Sequence, residues 1–247
     1  MHTYQIYNMD CIEMMRSLQE ESVDLLLTDP PYNLGQFMKD RGTQLEQMRP
    51  NFFVAAGWDN MGFAEWVSLM DSFFAEAARI LKKRGTLVMF MSLIKLETII
   101  SIANKYNFYY KTTGIWHKTN PMPRNMQYHF INSTEAWVYF VYNSKTGTFN
   151  NDGRAVHDFF EYPVTPANER QFGKHPTQKP IALLERMISL LTNEGDVVCD
   201  PFMGSGSTGV AAVSNGRIFV GSELNSDYFE ICQHRLHSID NIAIPAN

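Results

Sequence analysis

Apolar residues along this chain recur in two rhythms that take turns. Short apolar runs predict strands at Gln5–Met9, Val23–Thr28, Thr86–Met91, Tyr109–His117, Ala136–Tyr142, Val197–Cys199 and Ile218–Gly221. Between them the apolar spacing lengthens to a helical period. Helices are predicted over Ile12–Leu18, over Glu65–Leu81 with Trp66, Leu69, Met70, Phe73, Phe74 and Ala77 on one face, and over Leu96–Asn104. Pro180 opens another, with Ile181, Leu184, Ile188 and Leu191 as its apolar face and Gly195 as its stop; Thr208–Ser214 and a segment from Asp227 complete the set. Lys82-Lys83-Arg84-Gly85 reads as a cationic last turn and glycine stop for the helix before it. Strands alternating with helices predict an α/β domain with a parallel sheet.

Two stretches follow neither rhythm, Asn33–Asn60 and Asn143–Gln178, the second punctuated by Gly147, Gly153, Gly173, Pro163, Pro166 and Pro176. Irregular segments of that length inside a compact domain are usually functional loops, so both are expected to face a ligand. At 247 residues and 45% apolar content the chain suits one domain, 1–247, with no repeat and no low-complexity tract. The longest apolar run, Leu87–Met91, is far too short for a membrane span. His2, Asp10 and Glu13 near the start, with no apolar core between them, predict no signal peptide. The 3 scattered cysteines, Cys11, Cys199 and Cys232, point to a reducing compartment.

A net charge of −5 argues against strong non-specific attraction to nucleic acid, but the charge is unevenly spread. Residues 1–30 carry Asp10, Glu13, Glu20, Glu21, Asp24 and Asp29 against Arg16 alone, whereas Lys105–Arg124 holds Lys105, Lys111, Lys118 and Arg124 and no acid. That stripe could meet phosphates, or form an ordinary solvated face.

Two motifs carry the chemistry. Asp29-Pro30-Pro31-Tyr32 follows the apolar run that ends at Thr28, and places a carboxylate, a stiff backbone and an aromatic ring at a strand end. Asp200-Pro201-Phe202-Met203-Gly204-Ser205-Gly206-Ser207-Thr208-Gly209 follows Val197–Cys199 and reads as strand, glycine turn and helix start, the cradle of an adenosine-containing cofactor. Taken alone, Gly204-x-Gly206-x-x-Gly209 with Glu223 beyond it would predict a dehydrogenase. The strands needed to continue that sheet, however, stand at the other end of the chain. Read circularly, Val197–Cys199, Ile218–Gly221, Gln5–Met9 and Val23–Thr28 are strands one to four, and Asp10, Asp29, Asp200 and Glu223 converge on one carboxyl edge.

With His175-Pro176-Thr177-Gln178-Lys179-Pro180 ahead of the glycine motif and Trp116-x-Lys118-x-Asn120-Pro121-Met122-Pro123 in mid-chain, the sequence resembles the permuted β group of DNA amino-methyltransferases, which use S-adenosylmethionine. The likeness implies a Rossmann-like methyltransferase fold, circularly permuted, with a mostly parallel seven-stranded sheet and helices on both faces. It implies that Asp29 and the Pro30 carbonyl accept the two N–H groups of an adenine amino group, with Pro31 stiffening the turn and Tyr32 stacking on a flipped base. It places Phe202, Gly204 and Gly206 near the cofactor's methionine part, and counts Asp29, Asp200, Ser205 and Ser207 among the cofactor-binding residues. Glu223 would hold the ribose hydroxyls, Asp10 the adenine amino group with Cys11 adjacent, and Lys179 or His175 with Thr177 the carboxylate. Lys118, Asn120 and Arg124 are implied DNA contacts. Residues 33–60 become a mobile, DNA-facing loop, and 143–178 a short target-recognition insertion.

The expected partner is double-stranded DNA, with a homodimer and a cognate restriction endonuclease as further candidates. The expected setting is the cytoplasm of a bacterium, from a bacterial or phage gene, at the nucleoid. Cytosine-N4 methylation ranks behind adenine-N6, because cytosine enzymes of this group tend to carry Ser at the place of Asp29. An inactive DNA-binding relative would be expected to lose the acid, the aromatic or the glycines, all present here; an RNA substrate would need the same chemistry. Cys232-x-His234-x-x-His237 does not present four ligands, so no metal site is expected.

Overall fold

The computed structural model describes residues 3–34, 61–123, 127 and 130–240. Its sheet is built from β1 (Tyr4–Tyr7), β2 (Val23–Thr28), β3 (Leu81–Met91), β4 (Phe108–Lys118), β5 (Thr134–Tyr142), β6 (Phe159–Tyr162), β7 (Val197–Asp200) and β8 (Ile218–Ser222), in the order β1-β8-β7-β2-β3-β5-β4-β6. The helices are α1 (Cys11–Ser17), α2 (Phe63–Ile80), α3 (Leu96–Lys105), α4 (Ile181–Leu191), α5 (Ser207–Ser214) and α6 (Ser226–Asp240). β5 runs against β3 and β4, and the other neighbours are parallel. The four strands expected to be contiguous on a circular reading do lie side by side, so the two ends of the sequence form the middle and one flank of a single sheet.

The central strands divide their side chains between two cores, as a period of two requires. Leu26, Met89, Phe140, Cys199 and Val220 face the cluster made with α1, α2 and α3, around Met14, Phe73, Phe74 and Ile102. Leu25, Leu27, Val88, Val198 and Phe219 face the other, against Leu184 and Ile188 of α4, Ala211 of α5 and Leu236 of α6. Helices therefore cover both faces, and the central strands are apolar on both sides.

Among the described residues the sheet has eight strands rather than the expected seven. The additional one, β6, lies within the segment read as irregular and pairs with β4 from Ile115↔Phe159 to Lys118↔Tyr162. Phe160 stacks on Trp137 at 5.5 Å between ring centroids, and Phe159 on His117 at 5.9 Å, so aromatic contacts secure four residues that carry little propensity signal of their own. The same segment holds a 3-10 turn at Ala167–Arg170. The cationic helix ending is also corrected: α2 stops at Ile80, Leu81 is extended, and Lys82–Gly85 belongs to β3. Lys82 reaches Asp24 at 2.8 Å, and Arg84 takes φ 71°, so the run makes an irregular strand entry next to β2. Of the loop read over 33–60, all but Asn33 and Leu34 lies outside the described residues.

At the turn between β7 and α5 the backbone must bend where α6 crosses it. Gly206 has φ 80°, and a Cβ there would stand 2.4 Å from Cys232 Sγ. Gly206→Ala is therefore expected to destabilise the fold by about 2–4 kcal/mol, from left-handed strain plus overpacking. Adding Cys232→Ala should restore the packing part and leave the strain. Urea unfolding of both variants checks this, and equal stability of Gly206→Ala and the parent would contradict it.

Candidate active site

Parallel strands bring their carboxyl ends to one edge, and at the switch between β7 and β2 the connections leave in opposite directions. A crevice must open there. The cavity at this edge has a volume of about 770 Å³ and is lined by Asp10, Asp29, Tyr32, His175, Phe202 and Glu223, among others. Cys11, Thr177, Lys179, Asp200, Gly204, Ser205 and Ser207 line it too, so the residues singled out for cofactor binding, Gly206 apart, surround one space.

On one side stands the glycine turn. Asp200 is buried and accepts from Thr28 Oγ1 at 2.7 Å, Thr208 Oγ1 at 2.7 Å and the Phe202 N–H at 3.1 Å. Burial pushes its carboxyl up to about 6, against the pull of those donors. Both oxygens are engaged in the scaffold, while Asp200 still lines the cavity. Glu223, at the end of β8, accepts the N–H of Gly204 at 3.0 Å and of Asn225 at 2.8 Å, and burial raises its pKa. Arg235 of α6 supports the turn from behind, donating to Ser205 O at 2.7 Å and Ser207 Oγ at 3.1 Å. Asp10 caps α1 through the N–H groups of Ile12 and Glu13, and both of those bonds fall on Oδ1. The Cys11 thiol is buried and pushed up to about 12, so it stays protonated.

On the other side stands Asp29. The Tyr32 hydroxyl lies 2.7 Å from Asp29 Oδ1 and 2.7 Å from Glu135 Oε1. The Lys179 ammonium bonds Asp29 Oδ2 and lies 2.8 Å from Glu135 Oε1, while Lys118 holds Glu135 Oε2 at 3.0 Å. Trp66 on α2 donates its indole N–H to the Pro31 carbonyl at 2.8 Å and pins the proline pair. Burial raises the Asp29 pKa, opposed by Lys179. Burial works against Glu135 as well, but Lys179 and Lys118 outweigh it and bring that carboxyl down to about 2. Burial would lower Lys179, yet the two acids outweigh it and keep the ammonium charged.

Lys179, one of the two candidates for the cofactor carboxylate, is a buried ammonium that needs counter-charge, and two carboxylates supply it. His175 is left nearest the glycine turn, with its ring 3.2 Å from where a Cβ on Gly204 would stand and 4.3 Å in centroid distance from Tyr228. Burial, with Lys179 and Arg235 nearby, lowers His175 to about 4, so it is neutral near pH 7. Thr177 meets His175 Nδ1 through its N–H and hydroxyl.

The basic stripe does not form one free face. Lys105 pairs with Asp71 at 3.0 Å, Lys111 donates to Lys145 O, and Lys118 is turned to Glu135. Lys111 and Lys118 are seven residues apart along β4, about 23 Å at strand rise. Asn120 Oδ1 accepts the Val164 N–H at 2.8 Å and ties the insertion to the strand end; Arg124 lies outside the described residues. Cys232 packs under Gly206, while His234 stacks on Phe172.

A family model described as DNA methylase matches residues 23–234. The chain belongs to the DNA methylase family. The methylase is 30% identical over 245 residues to the type II methyltransferase M2.MboI of Moraxella bovis, covering 96% of this chain and 88% of that one. It is 32% identical over 239 residues to M2.DpnII of Streptococcus pneumoniae, covering 93% and 88%. Among solved structures, the M1.HpyAVI–SAM complex superposes with a TM-score of 0.71 at 29% identity, over 94% of this chain and 98% of that chain. The PvuII cytosine-N4-specific methyltransferase does so with a TM-score of 0.74 at 20% identity, over 97% and 90%, a likeness of fold.

Glu135, Trp66, Arg235, Gln178 and Tyr228 are site residues that sequence reading missed. Glu135 is the second residue of β5, immediately before an apolar run, and that position near a strand end was the one available signal. Removing the shared cation tests the network. In Lys179→Met, Asp29 and Glu135 face each other with only Lys118 beyond, and stability near pH 7 is expected to fall by about 3–5 kcal/mol. The unpaired carboxyls would then have pKa values above their unfolded ones, so the penalty holds above those values and eases as pH falls through them. Urea unfolding of the methylase variant near pH 7 and pH 5 measures it; a loss identical at both would contradict the charge argument.

Proposed function

We propose that the protein methylates the N6 amino group of an adenine that has left the DNA duplex, within a specific sequence. Membership of the family makes it an S-adenosylmethionine-dependent DNA methyltransferase; the choice of adenine is the finer step, and Asp29 at the head of Asp29–Tyr32 carries it. The cavity suits the cofactor: it is large enough, it carries Glu223 and Asp10 at adjacent strand ends for polar hydroxyl and amino groups, and its floor is a turn where Gly204 leaves room beside His175. S-adenosylmethionine, when bound, supplies an electrophilic methyl group on a sulfonium.

The adenine amino nitrogen is a poor nucleophile, because its lone pair is shared with the ring. Asp29 would accept one of its N–H groups and the Pro30 carbonyl the other, favouring a tetrahedral nitrogen with a localised lone pair. Among the described residues no donor engages the Pro30 carbonyl. Trp66 at Pro31 and the fixed φ of the prolines keep that carbonyl in place, so catalysis is positioning and electrostatics. Tyr32 would lie against the base, held in one orientation by its hydroxyl. The amino nitrogen sheds one proton as it gains the methyl group, and Asp29 is the base beside it.

Residues 143–178 would read the target, helped by 33–60, with Lys118, Asn120 and Arg124 as DNA contacts at the flipped base or its phosphates. The type II methyltransferase names of the relatives favour a cognate endonuclease of the same target sequence as a cellular partner, and a second copy of the chain would be a further one. The work would be done in a bacterial cytoplasm, at the nucleoid. Among the described residues no helix is long and apolar enough to cross a membrane.

With unmethylated DNA and methyl-labelled cofactor, digestion to nucleosides should place the label in N6-methyladenine. Label in N4-methylcytosine would transfer the assignment to cytosine, and label in neither would overturn it. Asp29→Ala should lower transfer by at least about a hundredfold while DNA binding persists. Because Asp29 must be ionised to accept, the rate should fall with acid through a pKa above the usual carboxylate range near 4. Glu223→Ala should weaken cofactor binding by about one to two orders of magnitude, the worth of a charge-assisted hydrogen bond. Unchanged affinity by calorimetry in a folded variant would remove Glu223 from the site.

A further inference from the structure

One acid in the site has no part in the reaction as drawn above. Glu135 sits at the start of β5, buried, with Lys179 and the Tyr32 hydroxyl on Oε1 and Lys118 on Oε2. Three strands thus contribute to one line of charge: Lys118 at the end of β4, Glu135 on β5, and Asp29 just after β2, with Tyr32 and Lys179 shared between the two acids. Tyr32 has one hydroxyl proton and two carboxylate oxygens at equal distance. That proton can serve only one acid at a time. The groups facing Asp29 are Lys179, Tyr32 and Glu135, with Asp200 across the switch point and Lys118 behind Glu135.

We propose that Glu135 is a positioning residue for methyl transfer: by sharing Lys179 and the Tyr32 hydroxyl with Asp29, it keeps the Asp29 carboxylate aimed and only partly neutralised for the base amino group. Without Glu135 the full charge of Lys179 and the only proton of Tyr32 fall on Asp29. Each of its oxygens then carries a committed donor, and a carboxylate so engaged is a weaker acceptor for a third. Lys118 adjusts the balance from outside. It holds Glu135 back, and without it Glu135 would draw Lys179 away from Asp29. The inference rests on the methyl-transfer reading and assigns Lys118 to this line rather than to a phosphate.

Two substitutions should act in opposite directions. Glu135→Gln keeps the shape and removes the charge; single-turnover methyl transfer should slow by about tenfold or more, and its acid limb should move to lower pH. Lys118→Met should move the acid limb to higher pH and change the log–log salt slope of DNA binding by well under the roughly 0.9 expected of a lost phosphate contact. Cofactor affinity should stay within about twofold in both, since neither residue is placed against the cofactor. A merely structural role would lower stability without opposite pH shifts. Side-chain carboxyl NMR titration of the same proteins reads Asp29 directly and needs no turnover. An Asp29 titration unmoved by Glu135→Gln, or a salt slope that falls by a full contact in Lys118→Met, would overturn the proposal. Opposite Asp29 shifts in a protein that methylates no nucleic acid would uphold the network and overturn the function instead. If Glu135→Gln fails to fold, Lys118→Met alone decides, by the sign of its shift.

Discussion

A single buried carboxylate joins the two distant parts of this chain. Asp200 closes β7 and accepts hydrogen bonds from Thr28 at the end of β2, from Thr208 in α5 and from the backbone of Phe202. β2 and β7 are neighbours in space but stand far apart in sequence, and their shared edge is where the crevice opens. A carboxylate in such a place is costly to bury unless its lone pairs are filled, and here two threonine hydroxyls and an N–H fill them. With the strand ends locked together, Asp29 and the glycine turn face each other across a fixed gap, and the rest of the site is built on that frame.

Within the frame, the division of labour follows from which polar groups are already satisfied. The glycine turn is held by Glu223 in front and Arg235 behind, so its backbone shape is set before any ligand arrives. The acid side is held by Lys179, Tyr32, Glu135 and Lys118 as one connected set. A half-satisfied network of this kind would be worse than an apolar core; a complete one specifies a unique geometry. The chemistry needs that geometry, because a neutral amino group is activated by acceptors that cannot drift.

Much of the fold was legible because its strands are apolar on both faces and its helices amphipathic, so period alone located them. Val23–Thr28 and the α2 face at Trp66, Met70, Phe73 and Ala77 are examples. The circular order was legible because two motifs with strand-end chemistry stood at the wrong ends for any unpermuted sheet. β6 was not, since four residues among glycines and prolines become a strand only when Trp137 and His117 offer rings to stack on. Lys82–Gly85 misled because a cationic run before a strand looks like a helix end, whereas Lys82 was answering Asp24 on the neighbouring strand. In the site, the motif residues were visible by their spacing. Glu135 was not, because its partners are Tyr32, Lys118 and Lys179, which only the sheet order brings together. Lys179 carried a true signal, a cation at the wrong end of a helix, but sequence could not say which anion it answered.

The position of β1 has a consequence for how the protein comes into being. Its one neighbour in the sheet is β8, some two hundred residues later in the chain, and β2 needs β7 on its other side. β1 therefore cannot pair until β8 has been made, and β2 stays open on one side until β7 has been made. Until then a nascent chain carries open strand edges, the template on which chains aggregate.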